Sequence, residues 1–175
     1  MTPNIFISYQ NADSALAAQI AKRLKLNHSI NIYLDKLDPE GLHDGPLLAE
    51  QLTFTIRGCS HIMAVVSRKT RVSWWVPWEI GIATASDKPI AVYGVENTNL
   101  PSYLMRWPYL SNFQELDTYA YVVNSDGRDF KLAAPGAPAL PNEISQAEAT
   151  SIHYQRLWLM LGRRMNVRPK KVPRS

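Results

Sequence analysis

Ile62-Met63-Ala64-Val65-Val66, then, after a polar link, Ser73-Trp74-Trp75-Val76-Pro77-Trp78-Glu79-Ile80-Gly81, is the stretch on which the fold turns. The first part is a short apolar run and reads as a buried strand, His61 to Ser67. The second predicts a short helix from about Val76 to Ala85. On a helix, positions four apart share a face. Trp75 and Glu79 therefore stand together, a flat apolar wall beside a carboxylate. That pairing suits a site holding an aromatic cation next to a sugar.

Working outward, the alternation of strand and helix continues on both sides. Asn4 to Ser8 reads as a buried strand. A helix from about Ala12 to Leu26 follows, with Leu16, Ile20 and Leu24 spaced by four. Asp13 at its start and Lys22, Arg23 and Lys25 at its end complement the helix dipole. Ile30 to Leu34 is a second strand, and Asp35 to Asp44 a polar loop holding Pro39 and Gly41. A helix opens at Asp44-Gly45-Pro46 and closes at Gly58, with Leu48, Leu52 and Ile56 apolar. Pro89 to Val95 is a fourth strand. Leu100 to Arg106 reads as a short helix and Tyr109 to Phe113 as a fifth strand. Asp117 to Val123 fits neither period. Pro135 to Pro141 is a loop, since its prolines cannot continue a helix. A last amphipathic helix, capped by Asn142, runs to about Met165 with Leu157 and Leu161 inward. Such alternation implies parallel strands with helices on both faces.

Composition narrows the function. A chain of 175 residues, 46% hydrophobic and 19% charged, fits one domain with a real core. No apolar run approaches the ~18 residues of a membrane span, and the first residues lack a signal-peptide pattern. With Cys59 as the one cysteine, no internal disulfide forms, and a cytoplasmic setting is the default. Cys59, between a helix and a buried strand, reads as an inert thiol. The net charge is +4, but Arg163, Arg164, Arg168, Lys170, Lys171 and Arg174 crowd the last thirteen residues. Without those six the 19 basic residues fall to 13 against 15 acidic, so the body carries a net −2. Nucleic-acid binding wants basic residues spread over a folded face, so it is not expected. The division expected is a domain over 1–167 and a basic tail over 168–175.

Ligands in open parallel sheets bind beyond the carboxyl ends of the strands. Here those ends carry Ser8-Tyr9-Gln10-Asn11-Ala12-Asp13, the Asp35-Lys36 loop, and Ser67 through Glu79. The first turn has no glycine, which excludes the Gly-x-Gly-x-x-Gly approach to a pyrophosphate, and there is no Walker loop. No Gly-x-Ser-x-Gly elbow is present. His28, His43, His61 and His153 have no ligand spacing, so no metal is expected. From the residues alone, Glu79 is by default a solvated residue at a helix start. Trp75 serves core and site wall equally well. Ser8, Tyr9 and Asp35 serve as well to close strand ends, and Asp13 to cap a helix.

Phe6-Ile7-Ser8-Tyr9, Tyr33-Leu34-Asp35, Ala64-Val65-Val66-Ser67 and Ser73-x-Trp75-x-x-x-Glu79-Ile80 resemble, in order and spacing, the signature boxes of Toll/interleukin-1 receptor (TIR) domains. The resemblance covers about residues 4 to 110. It implies a flavodoxin-like three-layer α/β sandwich, with a five-stranded parallel sheet in the order 2-1-3-4-5. The last box is similar to that of TIR domains that cleave NAD, and the Ser-Trp-Trp-Val-Pro-Trp-Glu form resembles small bacterial TIR proteins, including those of anti-phage Thoeris systems. By that resemblance Glu79 is the catalytic glutamate, with Ser8, Tyr9, Asp35, Lys36, Ser73 and Trp75 around the substrate. NAD is then substrate, with no other cofactor. The 35–44 loop would join TIR units, and a separate sensor or effector protein is expected as partner.

The chemistry is sufficient. Most glycosidases need a second carboxyl group to protonate the leaving oxygen. Nicotinamide in NAD is already cationic and departs neutral, so one carboxylate can stabilise the oxocarbenium-like transition state or hold the ribose hydroxyls. Water as acceptor yields ADP-ribose; an acceptor in the same molecule yields a cyclic product. Two alternatives stay open: a non-catalytic TIR scaffold acting by assembly, and a nucleoside-processing enzyme attacking deoxyribose with a Glu. Trimming Arg168–Ser175 is expected to leave NAD cleavage nearly intact, because two prolines interrupt a tail beyond the last helix. Specific activity at fixed salt checks this, and a large loss would mean that the tail binds something.

Overall fold

A computed structural model describes residues 2–34, 46–67, 75–94, 102–129, 131–132 and 140–163. The 35–44 loop, Ser73, most of the 135–141 loop and the 168–175 tail lie outside the described residues. The order of elements is β1 (Asn4–Ser8), a 3-10 turn (Asn11–Asp13), α1 (Ser14–His28), β2 (Asn31–Leu34), α2 (Pro46–Gly58), β3 (His61–Val66), α3 (Trp75–Ala85), β4 (Ile90–Gly94), a second 3-10 turn (Ser102–Arg106), β5 (Tyr109–Leu110), α4 (Phe113–Asp129) and α5 (Gln146–Met160). The five strands form one parallel sheet in the order β2-β1-β3-β4-β5. This is the flavodoxin-like order expected from the sequence.

Every residue of β3 and β4 is buried. Successive side chains of a strand point to opposite faces, so the two sides need separate cover. Ile5, Ile7, Met63, Val65, Ala91 and Tyr93 face one core, covered by Ala17, Ile20 and Leu24 of α1 and by Leu116, Tyr119 and Val123 of α4. Phe6, Ile62, Ala64, Val66 and Val92 face the other, covered by Leu52 and Ile56 of α2 and by Val76, Ile80 and Ala83 of α3. Leu157 of α5 joins the first core. The edges are short: β2 has four residues, none fully buried, and β5 has two. No helix among the described residues is long and apolar enough to cross a membrane.

Several boundaries differ from the sequence reading, each for a local reason. α1 runs to His28 and stops at Ser29, whose backbone is left-handed (φ 55°) and whose N–H returns to the Leu24 carbonyl. The fifth strand ends at Leu110 because Ser111 and Asn112 start a helix. Asn112 Oδ1 accepts from the Glu115 N–H at 2.9 Å, and Glu115 accepts from the Ser111 N–H at 2.7 Å. That reciprocal cap makes Phe113 helical and carries α4 through the ambiguous 117–123 segment. The cap of α5 is Ser145, not Asn142; its side chain accepts from the Glu148 N–H. The helix ends at Met160, ahead of Gly162 (φ 64°).

α1 and α4 are joined by one acidic residue. Asp117 accepts from Arg23 Nε and Nη2 at 2.8 and 2.7 Å, and lies 2.8 Å from His28 Nε2. The forked Arg23 contact, ahead of the opposing effect of burial and with further help from His28, lowers the Asp117 pKa to about 2. A carboxyl group with a depressed folded pKa stabilises the fold above its unfolded pKa, and that contribution fades as pH falls through the folded value. Asp117→Asn is therefore expected to lower Tm at neutral pH and to flatten the acid loss of stability between about pH 4 and 2. With one third of the Asp117 side chain exposed, the contribution is about 1 kcal/mol or less. Thermal melts of both proteins across that pH range check it.

Candidate functional site

The carboxyl end of β1 delivers Ser8, its last residue, into the interior. The turn of α3 that follows β3 delivers Glu79 to the same place. Ser8 Oγ donates a hydrogen bond to Glu79 Oε2, and both side chains are wholly buried. The local cause lies in α3. Val76, Ile80 and Ala83 must face the sheet to cover the second core, and Glu79, beside Ile80 and three after Val76, turns inward with them. A buried carboxylate is costly unless it is hydrogen-bonded, and the Ser8 hydroxyl supplies one such bond.

A second polar tie crosses the same end of the sheet. Asp13 occupies the N-cap position of α1 but makes no capping bond with its side chain. Its Oδ2 accepts instead from Ser67 Oγ at 3.0 Å, linking the segment after β1 to the residue after β3. Asp13 is buried and Ser67 half-buried. Sequence reasoning placed both beyond strand ends but did not pair them; polar residues in the segments that follow two adjacent parallel strands were the available signal.

Of the residues expected around a substrate, Ser8 and Glu79 are brought into contact. Tyr9 is half-buried and packs against the α1–α4 core. Trp75 is the first residue of α3, one helical turn before Glu79; its side chain, like Asp35, Lys36 and Ser73, lies outside the described residues. Trp78 is half-buried against the α2–α3 core. Cys59 is buried, and burial pushes its thiol up to about 11, which keeps it protonated and unreactive. Two of the four histidines, which have no ligand spacing in the sequence, come together in the fold. His61 and His153 meet at the opposite, amino end of the sheet, beside Asp126.

A family model described as "TIR domain" matches residues 5–129. No curated protein matches the chain. Among solved structures, the chain is similar to the IL-17 receptor B SEFIR domain, with a TM-score of 0.52 and 9% identity over 71% of this chain and 96% of that one. It is also similar to a 2-deoxyribosyltransferase from the psychrotolerant bacterium Bacillus psychrosaccharolyticus, with a TM-score of 0.50 and 10% identity over 65% and 90% of the two chains. At such identities the likeness is one of fold.

The burial of Glu79 makes its partner consequential. Ser8→Ala removes a donor from an enclosed carboxylate and is expected to destabilise the protein by about 1–3 kcal/mol. Denaturant unfolding with an unchanged m-value measures it; a loss close to zero would show that the bond to Ser8 is not what holds Glu79.

Proposed function

This chain belongs to the TIR domain family, and we propose that it is a member that cleaves the bond between nicotinamide and ribose in NAD, with Glu79 as the catalytic carboxylate. The observation that carries this reading is the wholly buried Glu79 held by Ser8 beyond the carboxyl ends of β1 and β3, where parallel α/β sheets bind ligands. Away from water, a carboxylate acts more strongly on a developing positive charge than it would in solvent. As the bond to nicotinamide lengthens, the ribose acquires oxocarbenium character. Glu79 stabilises that charge or fixes the ribose hydroxyls. Nicotinamide leaves neutral and needs no proton donor.

Ser8 is a positioning residue, orienting the carboxylate by its hydrogen bond. Trp75, one turn before Glu79 on α3, forms an apolar wall for the nicotinamide ring. Asp35, Lys36, Tyr9 and Ser73 complete the substrate's surroundings. Water gives nicotinamide and ADP-ribose; an internal acceptor gives a cyclic ADP-ribose signal. In this reading the chain produces or removes a nucleotide in anti-phage defence of the Thoeris kind. It associates with its own copies through the 35–44 loop and works with a separate sensor or effector protein. The second reading, a scaffold that works through TIR–TIR association alone, rests on the same family membership.

Purified full chain mixed with NAD, over a wide range of protein concentration, separates the two by release of nicotinamide. Cleavage is expected to rise more steeply than linearly with protein concentration. Glu79→Gln, similar in size and able to keep the Ser8 bond, is expected to lose roughly 10²-fold or more in turnover with little change in Tm. Near-normal turnover in folded Glu79→Gln removes the catalytic assignment. Association without nicotinamide release at any concentration favours the scaffold. Release of base from deoxynucleosides, but not of nicotinamide from NAD, points instead to nucleoside processing.

A further inference from the structure

At the amino end of the sheet, away from Glu79, a cavity of about 560 Å³ is lined by Cys59, Ser60, His61, Lys88, Asp126 and His153 among others. Three elements meet there. His61 opens β3, Asp126 lies in the last turn of α4, and His153 sits midway along α5. All three side chains are more than nine-tenths buried. One ligand atom of each lies within 4.8 Å of the others, and the imidazole rings stand 4.9 Å apart at 60°.

Hydrogen bonds engage the Nδ1 atom of each ring. Ser60 has one hydroxyl hydrogen, and it goes to the Asn4 carbonyl at 2.9 Å. With that hydrogen on the carbonyl, Ser60 Oγ accepts from His61 Nδ1 across the 2.9 Å contact between them. His153 Nδ1 lies 2.6 Å from Asp126 Oδ2, while Arg156 donates to Asp126 Oδ1 at 2.9 Å. The carboxylate accepts, so His153 Nδ1 carries the proton. With Nδ1 of each ring engaged in this way, Nε2 is the atom that each ring has left for a ligand. Both Nε2 atoms are buried without a protein hydrogen-bond partner, although buried polar atoms are rarely left so. Two imidazoles whose rings stand 4.9 Å apart, each with an unpartnered buried Nε2 and one backed by a carboxylate on its far nitrogen, form a donor set that suits a borderline transition metal.

We propose that His61 and His153 bind a divalent metal of the zinc class through their Nε2 atoms, with Asp126 positioning His153 and the remaining coordination open to the cavity. Such an ion clamps α5 onto the first residue of β3. That helix lies beyond residue 129, where the family match ends. Lys88, half-buried in the same cavity, opposes a second cation there. Burial already lowers its pKa, and its charge provides a discriminating variant. The proposal is independent of NAD cleavage, whose residues lie at the other end of the sheet.

The test is calorimetric titration of Zn²⁺ into chelator-stripped full-length protein at neutral pH, with thermal melts and the histidine ¹⁵N shifts alongside. One equivalent is expected to bind, to shift Nε2 of two histidines, and to raise Tm by roughly 5–10 °C at a hundredfold excess over Kd. His61→Gln and His153→Gln are each expected to abolish stoichiometric binding, and Asp126→Asn to weaken it about 10–100-fold. Lys88→Met should bind at least as tightly as wild type. The wild-type stoichiometry and ring shifts do not depend on whether a variant folds. Absence of saturable binding would overturn the proposal and leave the two nitrogens to a buried water. Binding that survives both histidine changes, or is lost in Lys88→Met, would overturn it equally.

Discussion

A parallel sheet buried on both faces has no solvent side on which to place polar residues, and every neighbouring element must adapt to that. β3 and β4 are buried at every position, so the helices that follow them carry apolar residues whichever way they turn. α3 shows the result. Its apolar side, Val76, Ile80 and Ala83, closes against the sheet, and the one acidic residue within that run is drawn into the interior. Glu79 is buried because its neighbours must be, and Ser8, at the end of the adjacent strand, makes that burial tolerable by donating to it.

The same constraint explains which features were legible in the chain. Runs such as Ile62–Val66 have one reading once strand and helix alternate, and the strand order followed from the motif resemblance. Glu79 stood out because a carboxylate one turn from a tryptophan is uncommon in so apolar a segment. α4 was obscured by its composition. Thr118, Tyr119, Tyr121, Val122 and Val123 favour a strand by local preference. Leu116, Tyr119, Ala120 and Val123 nevertheless pack on the sheet at helical spacing, and the cap at Asn112 sets the phase. Tertiary packing and the cap over residues 111–115 outweighed propensity.

Pairings across the fold were not legible, since they depend on which ends meet. Asp13 looked like a cap because it precedes a helix; its partner, Ser67, follows β3, a different strand from the one before Asp13. His61 and His153 are far apart in the chain and show no spacing signal, yet the return of α5 under the sheet brings them together with Asp126. The two ends of the sheet consequently differ in chemistry. The carboxyl end holds hydroxyl–carboxylate pairs, whereas the amino end gathers imidazoles and an ammonium group around a cavity.

The brevity of the outer strands has a mechanical consequence. An incoming chain that pairs with a sheet gains one backbone bond for each free N–H or C=O along the edge. Among the described residues β2 presents four positions and β5 two, so a sixth strand would find little there to grip. The described edges thus offer copies of this domain poor means of fusing into one continuous sheet. Contacts between copies, wherever they form, would then fall to helix faces and loops, where separate bodies can come apart without tearing a ladder. Assemblies joined in that way dissolve on dilution, and a fused cross-strand polymer would persist.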